Sequence, residues 1–330
     1  MVNILDVAKL AKVSPSTVSH ALSGKRSISP ATKERIFSAI ESLGYVPSRN
    51  ASSLRTGTSG SIGFYTADIT EGHASWIIKG IERGLAGSDL SMLLVSGIEF
   101  NNDFSRAYRF LRSHNIDGLM YCHHFYSEAD MFESIEIPVV AINMMQKGMK
   151  SIMADNINGG IIAAEHLVSS GMKRPAMICG PRNRLAVEKR LFGFSERLQA
   201  LGLDFPPDHH IFGEYTYEHG FTAAYQLMKL DPAIDGIFCI NDSIAAGTIN
   251  RLTGMGYRIP NDVKVLGYDN RDFSEFWNIP ISTIDQHMEQ MGFLGITALR
   301  RAILSRENDT AHEILKPTLI VRNSTQGGRK

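Results

Sequence analysis

Three cysteines stand in 330 residues, and no two of them share C-x-x-C spacing. That excludes a disulfide-stapled scaffold and a zinc ribbon, and Cys122, Cys179 and Cys239, each in or at the end of an apolar run, are expected to be buried reduced thiols. The chain has no apolar run of about 18 residues, and its N-terminus meets Asp6 and Lys9 before an apolar signal segment can form. A protein that is neither exported nor membrane-spanning, and hence cytoplasmic, is expected. No G-x-S-x-G, G-x-G-x-x-G or G-x-x-x-x-G-K-[ST] occurs, and the adjacent His123 and His124 lack an identifiable third ligand. Neither an enzyme nor a metal or other cofactor is therefore expected. With 21% charged residues and only 12 prolines, disorder and fibrous structure are excluded as well.

Net charge is also lacking, with 34 basic residues against 34 acidic ones, but the balance is uneven along the chain. Residues 1–60 hold eight basic and three acidic side chains, so this stretch carries +5 and the remainder −5. A basic head on an acidic body points to polyanion binding by the head. At roughly 100 to 200 residues per domain, the length fits two or three domains.

The head reads as three short helices. Val7, Leu10 and Ala11 recur at helical spacing from about Ile4. Ser14-Pro15 is an N-cap followed by Pro at the first helical position, opening a second helix to about Ala21. Ser29-Pro30 repeats the signal for a third, which carries Ile36, Ala39, Ile40 and Leu43 and closes at Gly44. A tight turn between the first two gives a helix-turn-helix over 1–47, whose second helix would enter a DNA major groove. The same spacing occurs in purely structural bundles. Composition favours DNA: Ser16, Thr17, Ser19 and His20 offer small donors and acceptors, no acidic residue lies among them, and Lys25, Arg26, Lys33 and Arg35 flank them.

Asp6-Val7-Ala8, Val13-Ser14, Thr17-Val18-Ser19, Gly44-Tyr45-Val46-Pro47 and Ala51-Ser52-Ser53-Leu54, in this order, resemble the N-terminal signature of the lactose and galactose repressor (LacI/GalR) family. The resemblance implies that Pro15, Ser16 and His20 help read operator bases. It also implies that Thr17 and Ser19 support or contact the backbone, with Ser14 opening the reading helix. Pro15 departs from the commoner donors at its position and offers only van der Waals contact.

Residues 48–60 turn abruptly small and polar, as a linker does. Asn50 to Arg55 is too short for an isolated helix, which needs roughly 12 to 15 residues, so it would order only against a partner. Leu54 is its one large apolar side chain, bracketed by Arg49 and Arg55, which suits a wedge inserted into a minor groove. The family resemblance assigns Leu54 that role in a hinge helix and carries DNA contact through Arg49, Ala51 and Arg55.

From Ser61 onward, short apolar strands alternate with helical stretches: 62–66, 92–95, 118–122, 139–142, 176–180, 236–240 and 263–267. Such alternation implies βαβ units and parallel sheets, and this length suits two sheets, one over about 61–155 and one over about 156–285. The body resembles the two-lobed effector-binding and dimerisation domain that the repressor family shares with periplasmic binding proteins. The implied lobes are 61–155 plus 287–311, and 156–286 plus 312–330.

Ligands of open α/β sheets lie beyond the carboxyl ends of the strands. Asp68, His123 and His124, Asn143, Asp155, Asn241, Asp242 and Asp269 all stand there. Each alone reads equally as a helix cap or loop residue. Together, carboxylates and amides facing one cleft match the hydroxyls of a sugar or nucleoside. The resemblance adds Arg190, Tyr215, Gln286 and His73 as cleft-lining residues, with Arg190 beside Asp269. One small head buries little DNA surface, so a homodimer whose two heads read a pseudo-palindromic operator is expected, controlled by a small-molecule effector, a carbohydrate. A solute-binding protein without a DNA role is opposed by the basic head, and a sugar-modifying enzyme by the lack of an activated nucleophile.

Overall fold

The structure, a computed structural model, describes residues 2–23, 26–45, 58–70, 72–122, 132, 135–305 and 309–326. The chain divides into two units, Met1–Gly60 and Ser61–Lys330. Arg49, Ala51, Leu54 and Arg55 of the expected hinge, and His123 and His124, lie outside the described residues.

The first unit contains α1 (Ile4–Ala11), α2 (Pro15–Ser23) and α3 (Pro30–Leu43). Asn3 Oδ1 accepts from the N–H of Leu5 at 2.8 Å while Asp6 accepts from the N–H of Asn3 at 2.9 Å, a capping box that fixes the start of α1. Lys12 in the left-handed region at φ 54° ends α1, and Ser14 Oγ accepts from the N–H of Thr17 at 3.2 Å to open α2. Ser29 caps α3, and Gly44 closes it at φ 59°. Val7, Ala8, Ala11, Val18, Ile36 and Ala39 form the core of the unit. Leu10, expected on the buried face, is 52% exposed. The small Ala8 and Ala11 take the inner face beside Val7, where short helices approach closely.

In the second unit, β1 (Ser61–Thr66), β2 (Ser91–Ser96), β3 (Gly118–Cys122), β4 (Val139–Ile142) and β5 (Lys150–Ala154) pair in parallel. A second parallel sheet holds β6 (Pro175–Ile178), β7 (His210–Ile211), β8 (Gly236–Cys239) and β9 (Lys264–Leu266), in the order β7-β6-β8-β9. β3 and β4 match the apolar runs read from the sequence. Both are buried almost throughout, as strands covered by helices on both faces must be.

The helices of this unit are α4 (Gly72–Leu85), α5 (Phe104–Ser113), α6 (Asn156–Ser169), α7 (Leu185–Ala200), α8 (Tyr217–Leu230), α9 (Asp242–Gly254), α10 (Asp272–Phe276) and α11 (Met288–Ser305). Each sheet has its own core: Ile62, Phe64, Met120 and Ile142 in the first, Met177, Phe194, Phe238 and Val265 in the second. Cys122, Cys179 and Cys239 are buried free thiols, and burial pushes the last two up to about 12, far from reactive.

The chain crosses between the sheets after Ala154, after Asp285 and after Leu315. β10 (Thr283–Asp285) and β12 (Thr318–Ile320) pair antiparallel, joining two of these crossings. The expected lobe boundary at 312 needs correction. β11 (His312–Leu315) pairs in parallel with β5 and completes a six-stranded first sheet, β11-β5-β4-β3-β1-β2, because it satisfies the otherwise open edge of β5. Only the segment beyond it returns to the second lobe, where Val265 N–H donates to Ser324 O at 2.9 Å.

Candidate functional site

On the first unit, the start of α2 presents Ser14, Pro15 and Ser16 to solvent, while Thr17, Ser19 and His20 are half-buried and Val18 and Ala21 face the core. Ser14 Oγ lies 2.7 Å from Ser16 Oγ and 2.8 Å from Thr17 Oγ1. Pro15 leaves the first turn without one N–H, which would be unsatisfied there in any case. An uncharged, hydroxyl-rich helix start of this kind can meet phosphates and base edges without repulsion.

In the second unit a cavity of about 350 Å³ opens between the two sheets, at the strand carboxyl ends. The starts of four helices contribute to its wall: Gly72 and His73 of α4, Arg184 at α7, Thr216 at α8 and Asn241 at α9. Of the expected effector residues it gathers Arg190, Asp269, Gln286, Asn143, Tyr215, Asn241 and His73.

Arg190 is 6% exposed and held on every side. Nε donates to Asn156 Oδ1 at 2.8 Å, Nη1 to the Ile240 carbonyl at 2.9 Å and Nη2 to Gln286 Oε1 at 3.3 Å, and the guanidinium lies 3.6 Å from the Tyr268 ring centre. The other end of Gln286 donates from Nε2 to Asp269 Oδ1 at 2.5 Å. One amide thus spaces a guanidinium from a carboxylate and fixes both. Burial pushes Asp269 up to about 6, against the pull of Arg190 and the Gln286 hydrogen bond.

Asp269 sits at φ 100° and Asn270 at φ 52°, and across the cavity Asn143 sits at φ 59°. Non-glycine residues are uncommon there, and Asn and Asp tolerate it best. These turns at strand ends bring Asp269 and Asn143 to the cavity wall, while the Asn270 side chain is engaged by Asp285 and Arg322, and strain of this kind persists where the surroundings hold it. Asp242, entirely buried, supplies the hold. It accepts from Arg271 N–H, Ser274 Oγ and Thr283 Oγ1, each at 2.7 Å.

Asn241 caps α9 through the N–H of Ile244 at 2.8 Å and donates from Nδ2 to the Tyr215 carbonyl at 3.2 Å. The Tyr215 ring rests on Gly180, where a side chain would collide with it. His73 is held neutral, pushed down to about 4 first by burial and then by Arg271, Arg184 and Arg190.

Two expected ligand residues do not line the cavity. Asp68 accepts from the N–H and the Oγ1 of Thr70, both at 2.7 Å, so it bends the loop and Thr70 takes its place in the wall. Asp155 caps α6 through the N–H of Asn158 at 3.0 Å. The sequence reading missed Arg184, Arg271, Thr70, Ser243 and Met288. Position alone could have found Arg271, directly after Asp269-Asn270, and Arg184, four residues past Gly180.

A separate cavity of about 480 Å³ shares Asp269 and Met288 but is lined elsewhere by Trp76, Arg83, Glu289 and Phe293. Its Arg83 is ion-paired with Glu289 at 2.7 Å, and Lys79 nearby lies 3.0 Å from the same carboxylate. Among the described residues no group of three or more His, Cys, Asp and Glu could hold a metal ion, and no helix is long and apolar enough to cross a membrane.

Residues 3–48 match the family described as bacterial regulatory proteins, lacI family, and residues 164–325 match the periplasmic binding protein-like domain. The HTH-type transcriptional repressor PurR of Vibrio vulnificus is 30% identical over 337 residues, covering 99% of each chain. That of Histophilus somni is 29% identical over 333 residues, again covering 99% of each. A solved transcriptional regulator CelR-cellobiose complex is 27% identical with a TM-score of 0.73, covering 98% of this chain and 100% of the other. The Lac repressor bound to ONPG in the repressed state shares the fold at a TM-score of 0.87 and 23% identity, covering 98% and 99% of the two chains.

Proposed function

We propose, for a chain that belongs to the LacI family of bacterial regulatory proteins and is thus a DNA-binding transcriptional regulator, that it acts as a homodimeric repressor in the cytoplasm, governed by a small molecule bound between its two lobes. The observation that carries this reading is the Arg190–Gln286–Asp269 chain. It holds donor and acceptor groups at fixed spacing in a cavity that both sheets wall. A ligand touching both sheets favours one lobe arrangement over another, and only such unequal affinity can shift operator binding.

The carbohydrate expected from the sequence gives way, in our reading, to a purine. Three guanidiniums, those of Arg184, Arg190 and Arg271, line the cavity against two carboxylates, Glu214 and the Asp269 that Gln286 positions, so cationic donors outnumber carboxylates there. Purine oxygens and ring nitrogens accept from a guanidinium fork, purine N–H groups donate to a carboxylate, and the ring can stack on Tyr215. A polyol presents hydroxyls, each both donor and acceptor, and no planar π face. Two relatives of similar length carry the name PurR, whereas the solved relative holding cellobiose keeps a sugar as the second reading. The head residues Ser14, Pro15, Ser16, Thr17, Ser19 and His20 would meet the operator, and Arg49, Ala51, Leu54 and Arg55 the groove between half-sites.

Calorimetry of the full chain with guanine, hypoxanthine, ribose and cellobiose tests the ligand class. Saturable heat with a base alone supports the purine reading, and heat with only a sugar overturns it.

A further inference from the structure

The loop that carries Asp269 and the second crossing between the lobes hold each other by a reciprocal exchange. Gln286, directly after Asp285, donates from Nε2 to Asp269, and Asn270, directly after Asp269, donates from Nδ2 to Asp285 Oδ2 at 3.2 Å. Each amide is aimed by an arginine behind it. Arg190 Nη2 donates to Gln286 Oε1 at 3.3 Å, and Arg322 Nη2 donates to Asn270 Oδ1 at 3.0 Å. A guanidinium only donates and a carboxylate only accepts, so each amide set between the two has a single satisfied orientation.

Arg190 walls the cavity, whereas Arg322 lines neither of the two cavities. Arg322 stands beyond β12, on the return from the third crossing, and is itself fixed. Its N–H donates to Ser282 Oγ at 2.8 Å and its Nη1 to the Ile281 carbonyl at 2.9 Å. Asn270, at φ 52°, donates its own N–H to Thr283 Oγ1 at 3.2 Å, and Asp269 donates its N–H to the Ile284 carbonyl at 2.9 Å. Asp285 is held from its other side too, since Oδ1 accepts from the N–H of His287 at 2.7 Å. Arg190 meanwhile reaches Asn156, just past the first crossing. All three crossings are thus joined by hydrogen bonds to the loop that carries Asp269.

We infer that Arg322 is a positioning residue of the effector site: by orienting Asn270 it locks the Asp269 loop onto the second crossing, so that a ligand drawn to Asp269 is sensed at the joint between the lobes. This rests on the reading of the cavity as the effector site and adds how its occupation reaches the lobe arrangement. Without Arg322 the Asn270 carbonyl oxygen loses its partner and the left-handed turn at 269–270 loses an anchor. Asp269 can then leave the geometry that Gln286 sets.

The first test needs no ligand. Hydrogen–deuterium exchange of the full chain is followed by mass spectrometry for wild type, Arg322→Met, Asn270→Ala and the double variant. In Arg322→Met the amides of 267–271 and 283–287 should exchange at least about tenfold faster, while those of β1 and β3 in the first sheet keep the wild-type rate. Asn270→Ala should loosen the same segments, and the double variant should exchange no faster than the faster single one, because Arg322 acts through Asn270. An unchanged loop in Arg322→Met, a loosening spread evenly over the second unit, or effects that multiply in the double variant would each overturn the inference. Should Arg322→Met not fold, Asn270→Ala is read alone by the same criterion.

The second test separates the positioning role from the effector site. Calorimetry with guanine, hypoxanthine, ribose and cellobiose is paired with operator binding in the absence of ligand. The ligand that binds wild type should bind Arg322→Met and Asn270→Ala about tenfold or more weakly, by similar factors, while both variants bind the operator as wild type does. Parallel losses of ligand and operator binding would mark a general structural role and overturn the inference. Wild-type ligand affinity in both variants, with loss of the ligand in Asp269→Ala, would remove the positioning role and leave the cavity in place. A ligand bound equally by Asp269→Ala would remove the cavity as the effector site, and the exchange rates would still decide whether Arg322 holds the loop.

Discussion

Replacing Asp242 by Ala should unfasten the effector loop from within. The carboxylate is entirely buried and accepts three hydrogen bonds of 2.7 Å, from the backbone N–H of Arg271 and the hydroxyls of Ser274 and Thr283. It therefore ties the start of α9, the loop after β9 and the strand β10 together. Alanine leaves three buried donors without an acceptor, at about 1–3 kcal/mol each before relaxation, so a loss on the order of 3–5 kcal/mol is expected. Urea unfolding followed by circular dichroism measures it.

The same loop holds Asp269 at φ 100°, so the variant should also lose about tenfold or more in effector affinity under conditions where it stays folded. Burial pushes Asp242 up to about 7, above the 3.8 of a free aspartate. The folded protein thus holds this proton more tightly than the unfolded chain between those two values. Stability from this group is greatest at the acidic end and declines as pH rises through the window, by at most about 1.4 kcal/mol per unit. Asp242→Asn, which cannot ionise, should show a flatter slope. An Asp242→Ala protein as stable as wild type, or a steeper fall with pH in Asp242→Asn, would refute this reasoning.

Three further outcomes follow from the site. Asp269 is pushed up to about 6, and an effector that donates to its carboxylate needs the ionised form, so affinity should fall about tenfold between neutral pH and about pH 5. His73, pushed down to about 4, stays neutral throughout, and a flat calorimetric profile would contradict the role of Asp269. In Gly160→Ala the new methyl collides with the Arg190 carbonyl and the Phe194 N–H, forcing α6 from α7; about 1–3 kcal/mol of stability should go, and an unmoved urea midpoint would contradict this. On the head, Ser16→Ala and His20→Ala should cost about 1–3 kcal/mol of discrimination between operator and random duplex and leave the salt slope alone, whereas Lys33→Ala should lower the slope by about 1. Gel shifts over a salt series distinguish the two, and a changed slope in Ser16→Ala would move that residue to the phosphates.

The fold was legible where one local rule decides the structure. Ser14-Pro15 and Ser29-Pro30 open helices, Gly44 ends one, and β3 and β4 coincide with uninterrupted apolar runs. Leu10 was misplaced because helical spacing marks a face without saying which small residues permit close packing. β11 was misplaced because His312–Leu315 is an edge strand whose residues alternate between half-buried and exposed, and only the open edge of β5 assigns it to the first sheet. In the site, strand-end position found Asn143, Asn241 and Asp269 but could not separate a carboxylate that faces the cavity from one engaged by its own backbone, as in Asp68 and Asp155. Arg184 and Arg271 escaped notice for the same reason in reverse: charges in loops read as solvated until the facing lobe is seen to wall the cavity with them.

The central claim is that a ligand between the lobes sets operator affinity through Asp269. Fluorescence anisotropy of a labelled operator, titrated with the full-length wild type and with Asp269→Ala, each with and without the ligand found by calorimetry, tests it most directly. The two proteins should bind the operator alike in the absence of ligand, and the ligand should shift the wild-type curve by about tenfold or more and leave the variant curve in place. A ligand response in Asp269→Ala equal to that of wild type would contradict the account.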